Sequence, residues 1–266
     1  LLFDAQLDDI ASGAACFLPD RQEVAIAGKD GSLRVFRWTD PQPRRAVASI
    51  PREDGSTWCL RRHGNRLAVG RFYREVYHQI IRDFDLDTGE LKDSWRAPGS
   101  LVGMDFSSDG RYCVMGSYRG EVLTRNMVTG EESSFVDNMP NIGSVAISPF
   151  GNRVGISCEQ GFVRLWETGS WRDAGTLGGF LHAVAGVAFI RDGKRFAAGS
   201  SGDEAIRLYE TDHHQPLITL GAEGGGFFPA FDSSGNNLAG MNAAGKLYVW
   251  RAPSWAEIDA AEKPRR

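Results

Sequence analysis

The sequence predicts an all-β fold assembled from a unit of four short strands that repeats six times along 266 residues. Three observations carry this. A large apolar residue closes the first strand of each unit, at Phe17, Leu60, Phe106, Ile147, Phe189 and Phe231, in steps of 43, 46, 41, 42 and 42 residues. A hairpin turn follows each: Pro19-Asp20, His63-Gly64-Asn65, Ser108-Asp109-Gly110, Phe150-Gly151-Asn152, Asp192-Gly193 and Ser234-Gly235-Asn236. Third strands then align on LRVF ending at Phe36, IIRDF at Phe84, EVLTR at Arg125, FVRLW at Trp166, AIRLY at Tyr209 and KLYVW at Trp250.

The clearest copy runs from Leu181 to Leu220. Its strands are Val184 to Phe189, Phe196 to Gly199, Ala205 to Tyr209 and Leu217 to Leu220, with Ser201-Gly202-Asp203 turning the second into the third. A His, a V-x-F strand, a D-G turn, an A-x-G-S strand and an I-R-L-Y strand lie on His182, Val187 to Phe189, Asp192-Gly193, Ala198 to Ser200 and Ile206 to Tyr209. In this pattern the chain resembles the WD40-repeat family over nearly its whole length. The resemblance implies a β-propeller with six recognisable four-stranded blades, residues 1–253. One blade cannot bury both faces, so the inner strands, such as Gly143 to Ile147, are apolar on both sides and Trp58, Trp166, Phe189 and Phe231 read as packing between blades.

The ends differ from the interior. After Trp250 come Arg251-Ala252-Pro253, so the sixth repeat lacks a fourth strand of its own. Ser254 with Glu257 forms a capping box that opens a short C-terminal helix over 254–266. The leading Leu1 to Leu7 either supplies the missing strand, or is the outer strand of a seventh blade from a truncated larger ring. The chain begins LLFDAQLDD, without Met, and reads as a piece of a longer protein. The phrase from Trp250 to Glu262 resembles the tails of bacterial WD40 proteins whose propellers follow Ser/Thr kinase domains.

The repeats depart from the family's buried polar set of His, Ser or Thr, Asp and Trp. The fifth offers His182, Ser200 and Asp203 with Tyr209 in the Trp position, and no repeat is complete. His182 reads as a structural cap, and blade stability rests on apolar packing.

Composition excludes several classes. With 42% hydrophobic and 24% charged residues the chain has material for a large core, and a net charge of −4 argues against a nucleic-acid binder or an anionic-membrane binder. No stretch approaches 18 consecutive apolar residues, so no membrane contact is expected from this segment. Cys16, Cys59, Cys113 and Cys158 are far apart, without C-x-x-C spacing, and read as buried free thiols suited to the cytoplasm. No catalytic, cofactor or metal site is expected. Gly240 to Leu247 has P-loop spacing, but Leu247 stands where magnesium needs Ser or Thr.

Two stretches are candidates for contact with a protein or peptide partner. The first is an insertion between Gly70 and Ile81, where Arg71, Phe72, Tyr73, Arg74, Tyr77 and His78 extend a hairpin with aromatic anchors and guanidinium donors. The second is Phe227-Phe228, after the Gly-rich connection Gly221 to Gly226, which reads as flexible. His213-His214, Arg61-Arg62-His63, Arg44-Arg45, Asp8-Asp9 and Glu131-Glu132 read as solvated charge. The function expected is a non-catalytic scaffold. A sensory module on a bacterial Ser/Thr kinase is the alternative, and a metal-dependent propeller enzyme, with Asp105 the main polar residue on the inner strands, is the third reading.

Overall fold

The computed structural model describes residues 10–28, 32–37, 40–49, 56–72, 78–136, 139, 141–168, 170–202, 204–232, 234–242 and 247–252. Among these, every regular element except one short 3-10 turn is a strand, and consecutive strands pair antiparallel into six separate sheets. The expected C-terminal helix, Leu1 to Leu7, Asp8-Asp9 and Asp203 lie outside the described residues, as do the side chains of Trp58, Arg44 and Arg45. The backbone forms two compact units, Leu1–Val145 and Ala146–Arg266.

In the first unit, sheet one comprises β1 (Ile10–Leu18), β2 (Glu23–Gly28), β3 (Ser32–Arg37) and β4 (Asp40–Ser49). Sheet two comprises β5 (Ser56–His63), β6 (Arg66–Phe72), β7 (His78–Asp85) and β8 (Leu91–Pro98). Sheet three comprises β9 (Leu101–Phe106), β10 (Tyr112–Ser117), β11 (Glu121–Asn126) and β12 (Glu132–Val136). Leu18, Ala25, Val35, Leu60, Leu67 and Phe84 pack together between sheets one and two, and Ala68, Ile81, Trp95, Leu101, Met104 and Met115 between sheets two and three. Cys113 to Ser117 of β10 are buried without alternation, because a neighbour covers each face of the strand. The third strands end on side-chain caps. Asp85 Oδ1 accepts from the amides of Asp87 and Thr88, both at 2.9 Å, and Asn126 Oδ1 accepts from those of Val128 at 2.9 Å and Thr129 at 3.2 Å.

The expected solvated run Arg61-Arg62-His63 needs correction. Only Arg61 is exposed. Arg62 reaches the turn of sheet one, where both its terminal nitrogens bond the Asp20 carboxylate and hold its pKa down to about 2. His63 stacks on Phe106 of sheet three, ring centroids 4.2 Å apart, and its Nε2 donates to the fully buried Asp83 at 3.0 Å. Arg66 Nη1 donates to the other Asp83 oxygen at 3.0 Å. A buried carboxylate is tolerated because two partners saturate it.

The fourth sheet begins with β13 (Ile142–Ile147), within which the division between the units falls, and continues as β14 (Arg153–Cys158), β15 (Phe162–Glu167) and β16 (Asp173–Leu177). In the second unit, sheet five comprises β17 (Val184–Phe189), β18 (Arg195–Ser200), β19 (Ile206–Glu210) and β20 (Pro216–Leu220). Among the described residues the last sheet comprises β21 (Phe228–Phe231), β22 (Asn237–Met241) and β23 (Leu247–Arg251). Phe189 meets Phe196 edge-on at 4.7 Å, and Leu165, Leu177, Phe180 and Tyr209 complete that core.

Two further expectations change in this unit. Of the His pair, His213 is exposed and bonds Glu210 at 3.0 Å, whereas His214 packs on Gly175 of β16, where no side chain would fit and φ is +125°. The Gly-rich connection is anchored rather than loose. Ser200 O accepts from the amides of Gly226 and Phe227 at 3.1 Å each, Glu223 O accepts from Asn242 Nδ2 and Tyr248 Oη at 3.1 Å each, and Gly225 abuts the Ser201 carbonyl.

Candidate protein-interaction surface

Strands β6 and β7 flank the insertion and pair with each other from Arg66–Asp85 to Val69–Arg82. Strands β6 and β7, at 7 and 8 residues, are longer than their counterparts β10 and β11 at 6 residues each, and carry Arg71, Phe72 and His78 at their ends. Ser56 pairs with Phe72, Thr57 with Arg71, and His78 with Pro98, so all four strands of the sheet reach this end. Tyr73, Arg74 and Tyr77 lie outside the described residues, and of Arg71, Phe72 and His78 only the backbone is described.

Gly70, where the insertion starts, is fixed in the core of its unit. A Cβ at Gly70 would stand 2.6 Å from Leu101 Cδ2 and 3.2 Å from Ile81 Cδ1, so sheet three approaches β6 closely here. Leu101 in turn pairs with Ser117, immediately before the turn Tyr118-Arg119-Gly120. This places Tyr118, 44% exposed, and the exposed Arg119 at the end of the unit where β6 stops and β7 begins. Composition does not single them out, because an S-Y-R-G turn looks like any other hairpin; the register with Leu101 is what brings an aromatic and a guanidinium to this end. Ser117 Oγ anchors the turn by donating to Gly99 O at 2.7 Å and accepting from the Arg119 amide at 3.0 Å.

In the second unit the structure separates Phe227 from Phe228. Phe227 is fully buried among Ala197, Ala205, Ile206 and Leu238, with Tyr248 tilted against it at 5.7 Å. It is a packing residue and offers nothing to a partner. Phe228 opens β21 half exposed. Near the preceding repeat, Leu181 is 83% exposed and the exposed His182 lies over Gly202. The expected cap role passes to Glu204, whose Oε1 accepts from Ser200 Oγ at 3.1 Å and from the Leu181 amide at 3.0 Å.

Burial pushes the Cys59 thiol up and that of Cys113 well up, which disfavours a thiolate at either. Among the described residues no three His, Cys, Asp or Glu side chains are placed to hold a metal, and no helix is long and apolar enough to cross a membrane.

Six sheets of consecutive antiparallel strands at a period of 41 to 46 residues define a WD40-type β-propeller fold. Comparison with known proteins agrees. The chain is 26% identical over 254 residues to guanine nucleotide-binding protein subunit beta-1 of Nicotiana tabacum, and 25% identical over 254 residues to the beta subunit of Solanum tuberosum. A second Nicotiana tabacum beta subunit is 26% identical over the same length. Each alignment takes in 87% of this chain, and the chain spans 66% of each relative's length. These beta subunits are WD40-repeat β-propellers. All three are plant proteins and lend no support to a bacterial source. No family profile matches the chain.

Proposed function

We propose that the chain is a non-catalytic scaffold that binds a protein or peptide partner, with no nucleic-acid or membrane role for this segment, and that it works in the cytoplasm, where thiols far apart in sequence stay reduced. The observation that carries this is the pair of strands β6 and β7 flanking the insertion, with Gly70 packed in the core and exposed Tyr118 and Arg119 at the same end of the unit. Aromatic and guanidinium groups are the side chains enriched among interface anchors. Arg71, Phe72, Tyr73, Arg74, Tyr77 and His78 form the contact surface on this reading, joined by Tyr118 and Arg119, with Phe228 a separate contact in the second unit. The relatives' description as subunits of guanine nucleotide-binding proteins supports a role within a larger assembly.

The test replaces Arg71 to His78 with a two-residue Asn-Gly turn and first matches its thermal unfolding to that of the parent chain. Partner capture by the parent and its loss in the shortened form support the reading. Equal capture by both places the contact elsewhere and overturns the assignment to the hairpin.

A further inference from the structure

Arg207 lies on β19 and shares a face of that strand with Tyr209, which packs among Leu165, Leu177 and Phe180. Its guanidinium rests on the Phe180 ring, 5.0 Å from the centroid. It also lies beside the Tyr209 hydroxyl, which donates to Gly178 O at 3.1 Å. Burial pushes that phenol's pKa up, so it stays neutral and offers no counter-charge. The carboxylates three residues to either side are engaged elsewhere, Glu204 by Ser200 Oγ and the Leu181 amide, and Glu210 by the Asp212 and His213 amides. Arg207 Nε is buried without an acceptor, and among the described residues the side chain forms no ion pair. Arg62, Arg125 and Arg153 are half-buried likewise, yet each has a carboxylate partner. A cation withdrawn from water without a counter-charge costs free energy that a neighbouring ring recovers only in part.

Glycine keeps the approach to this cation open. A Cβ at Gly179, whose φ is +90°, would stand 3.0 Å from Arg207 Nη1, and at Gly178 there is open space where a Cβ would stand. Both glycines are exposed, and Leu181, the residue after Phe180, is 83% exposed. We propose that Arg207 anchors a second peptide-binding site, which takes a carboxylate of a partner chain over Gly178-Gly179 and sets an apolar side chain of the same segment against Leu181. A guanidinium held on an aromatic ring presents its donors in a fixed plane, and a carboxylate accepts two of them at once. Leu181 favours a peptide carboxylate over a free inorganic anion, because only the peptide brings an apolar group to cover it. The site rests on the reading of the chain as a protein-binding scaffold, but it lies in the second unit and needs nothing from the residues between β6 and β7.

The test follows the Nε–Hε signal of Arg207 in a proton–nitrogen correlation spectrum, identified by its absence in Arg207→Lys. The probes are the capped peptides acetyl-Leu-Asp-Leu-amide and acetyl-Leu-Asn-Leu-amide, and inorganic phosphate. The aspartyl peptide is expected to shift the signal saturably, and the asparaginyl peptide to bind at least ~10-fold more weakly, as loss of a charge-assisted hydrogen-bonded pair requires. Leu181→Ser leaves the packed arginine untouched and is expected to weaken the aspartyl peptide ~3-fold or more while phosphate is unaffected. The chain with Arg71 to His78 replaced should bind the aspartyl peptide as the parent does, so a null titration beside partner capture that depends on the insertion strikes this site alone. No saturable shift with the aspartyl peptide, equal binding of the asparaginyl one, or phosphate binding as tightly as the aspartyl peptide in the parent and Leu181→Ser alike, overturns the proposal.

Discussion

His63 and Asp83 form a buried pair in the second sheet, Nε2 to Oδ1 at 3.0 Å, with the imidazole face stacked on Phe106 of the third. The pair joins two sheets through one ring, so it substitutes locally for the polar set that the repeats lack. Asp83→Ala leaves His63 without its acceptor, while Arg66, 42% exposed, can turn to water. The expected loss is therefore about 2–4 kcal/mol, somewhat below that for breaking a fully enclosed ion pair. Urea unfolding of Asp83→Ala, His63→Ala and the double variant measures it, and a coupling energy near zero would show that the two side chains act separately.

Gly175 is the second such joint. It holds φ at +125° on the outer strand of the fourth sheet, and His214 from the turn of the fifth packs where its side chain would be. Gly175→Ala is expected to cost about 1–3 kcal/mol from backbone strain and contact together. His214→Ala removes the contact and leaves the strain, so Gly175→Ala should cost less in that background. Equal costs in both backgrounds would mean that the imidazole does not press on this strand.

These joints mark the limit of what was legible in the sequence. The strand meander followed from turn pairs such as Asp192-Gly193 and from the regular return of Phe106, Ile147 and Phe189, because hairpins are local and their chemistry is written in adjacent residues. His63 was not legible, since Arg-Arg-His-Gly-Asn has turn composition and Asp83 stands 20 residues away in a register that only the folded sheet defines. Gly221 to Gly226 looked like a linker for the same reason: glycine required by close packing against the Ser201 carbonyl has the same composition as glycine required for looseness. At the candidate surface the insertion was visible in the spacing of the repeats, but Tyr118 was not, because its position depends on Leu101 meeting Gly70.

Asp232 predicts an acid-sensitive turn in the last sheet. Partial burial raises its pKa, but donors from Asn237, Ser234 and the turn amides outweigh this and bring it down to about 2, against an ordinary 3.8. A carboxylate with a depressed folded pKa contributes stability that is present above its unfolded pKa and disappears as pH falls through the folded one. The stability gap between the parent chain and Asp232→Asn should therefore be constant above about pH 4 and close between 3.8 and about 2. Chemical unfolding at a series of pH values reads this directly; a gap independent of pH would remove the charge from the explanation.

Phe227 and Phe228 are adjacent residues with opposite expected behaviour. Strand β21 begins at Phe228, and the turn before it directs Phe227 inward against Ile206 and Leu238 while Phe228 stays half exposed. Truncating a fully buried Phe removes its transfer free energy and leaves a cavity that the surrounding strands fill only in part, so Phe227→Ala should destabilise the chain by about 3–5 kcal/mol. Phe228→Ala removes a ring that water already reaches on one side, and should cost under about 1 kcal/mol. Binding reverses the order. Once a partner is in hand, Phe228→Ala should weaken the complex with its melting temperature intact, whereas Phe227→Leu, which keeps the core filled, should leave affinity unchanged. Titration of both variants by calorimetry beside their unfolding curves separates the two roles, and loss of affinity in Phe227→Leu at full stability would return Phe227 to the contact surface.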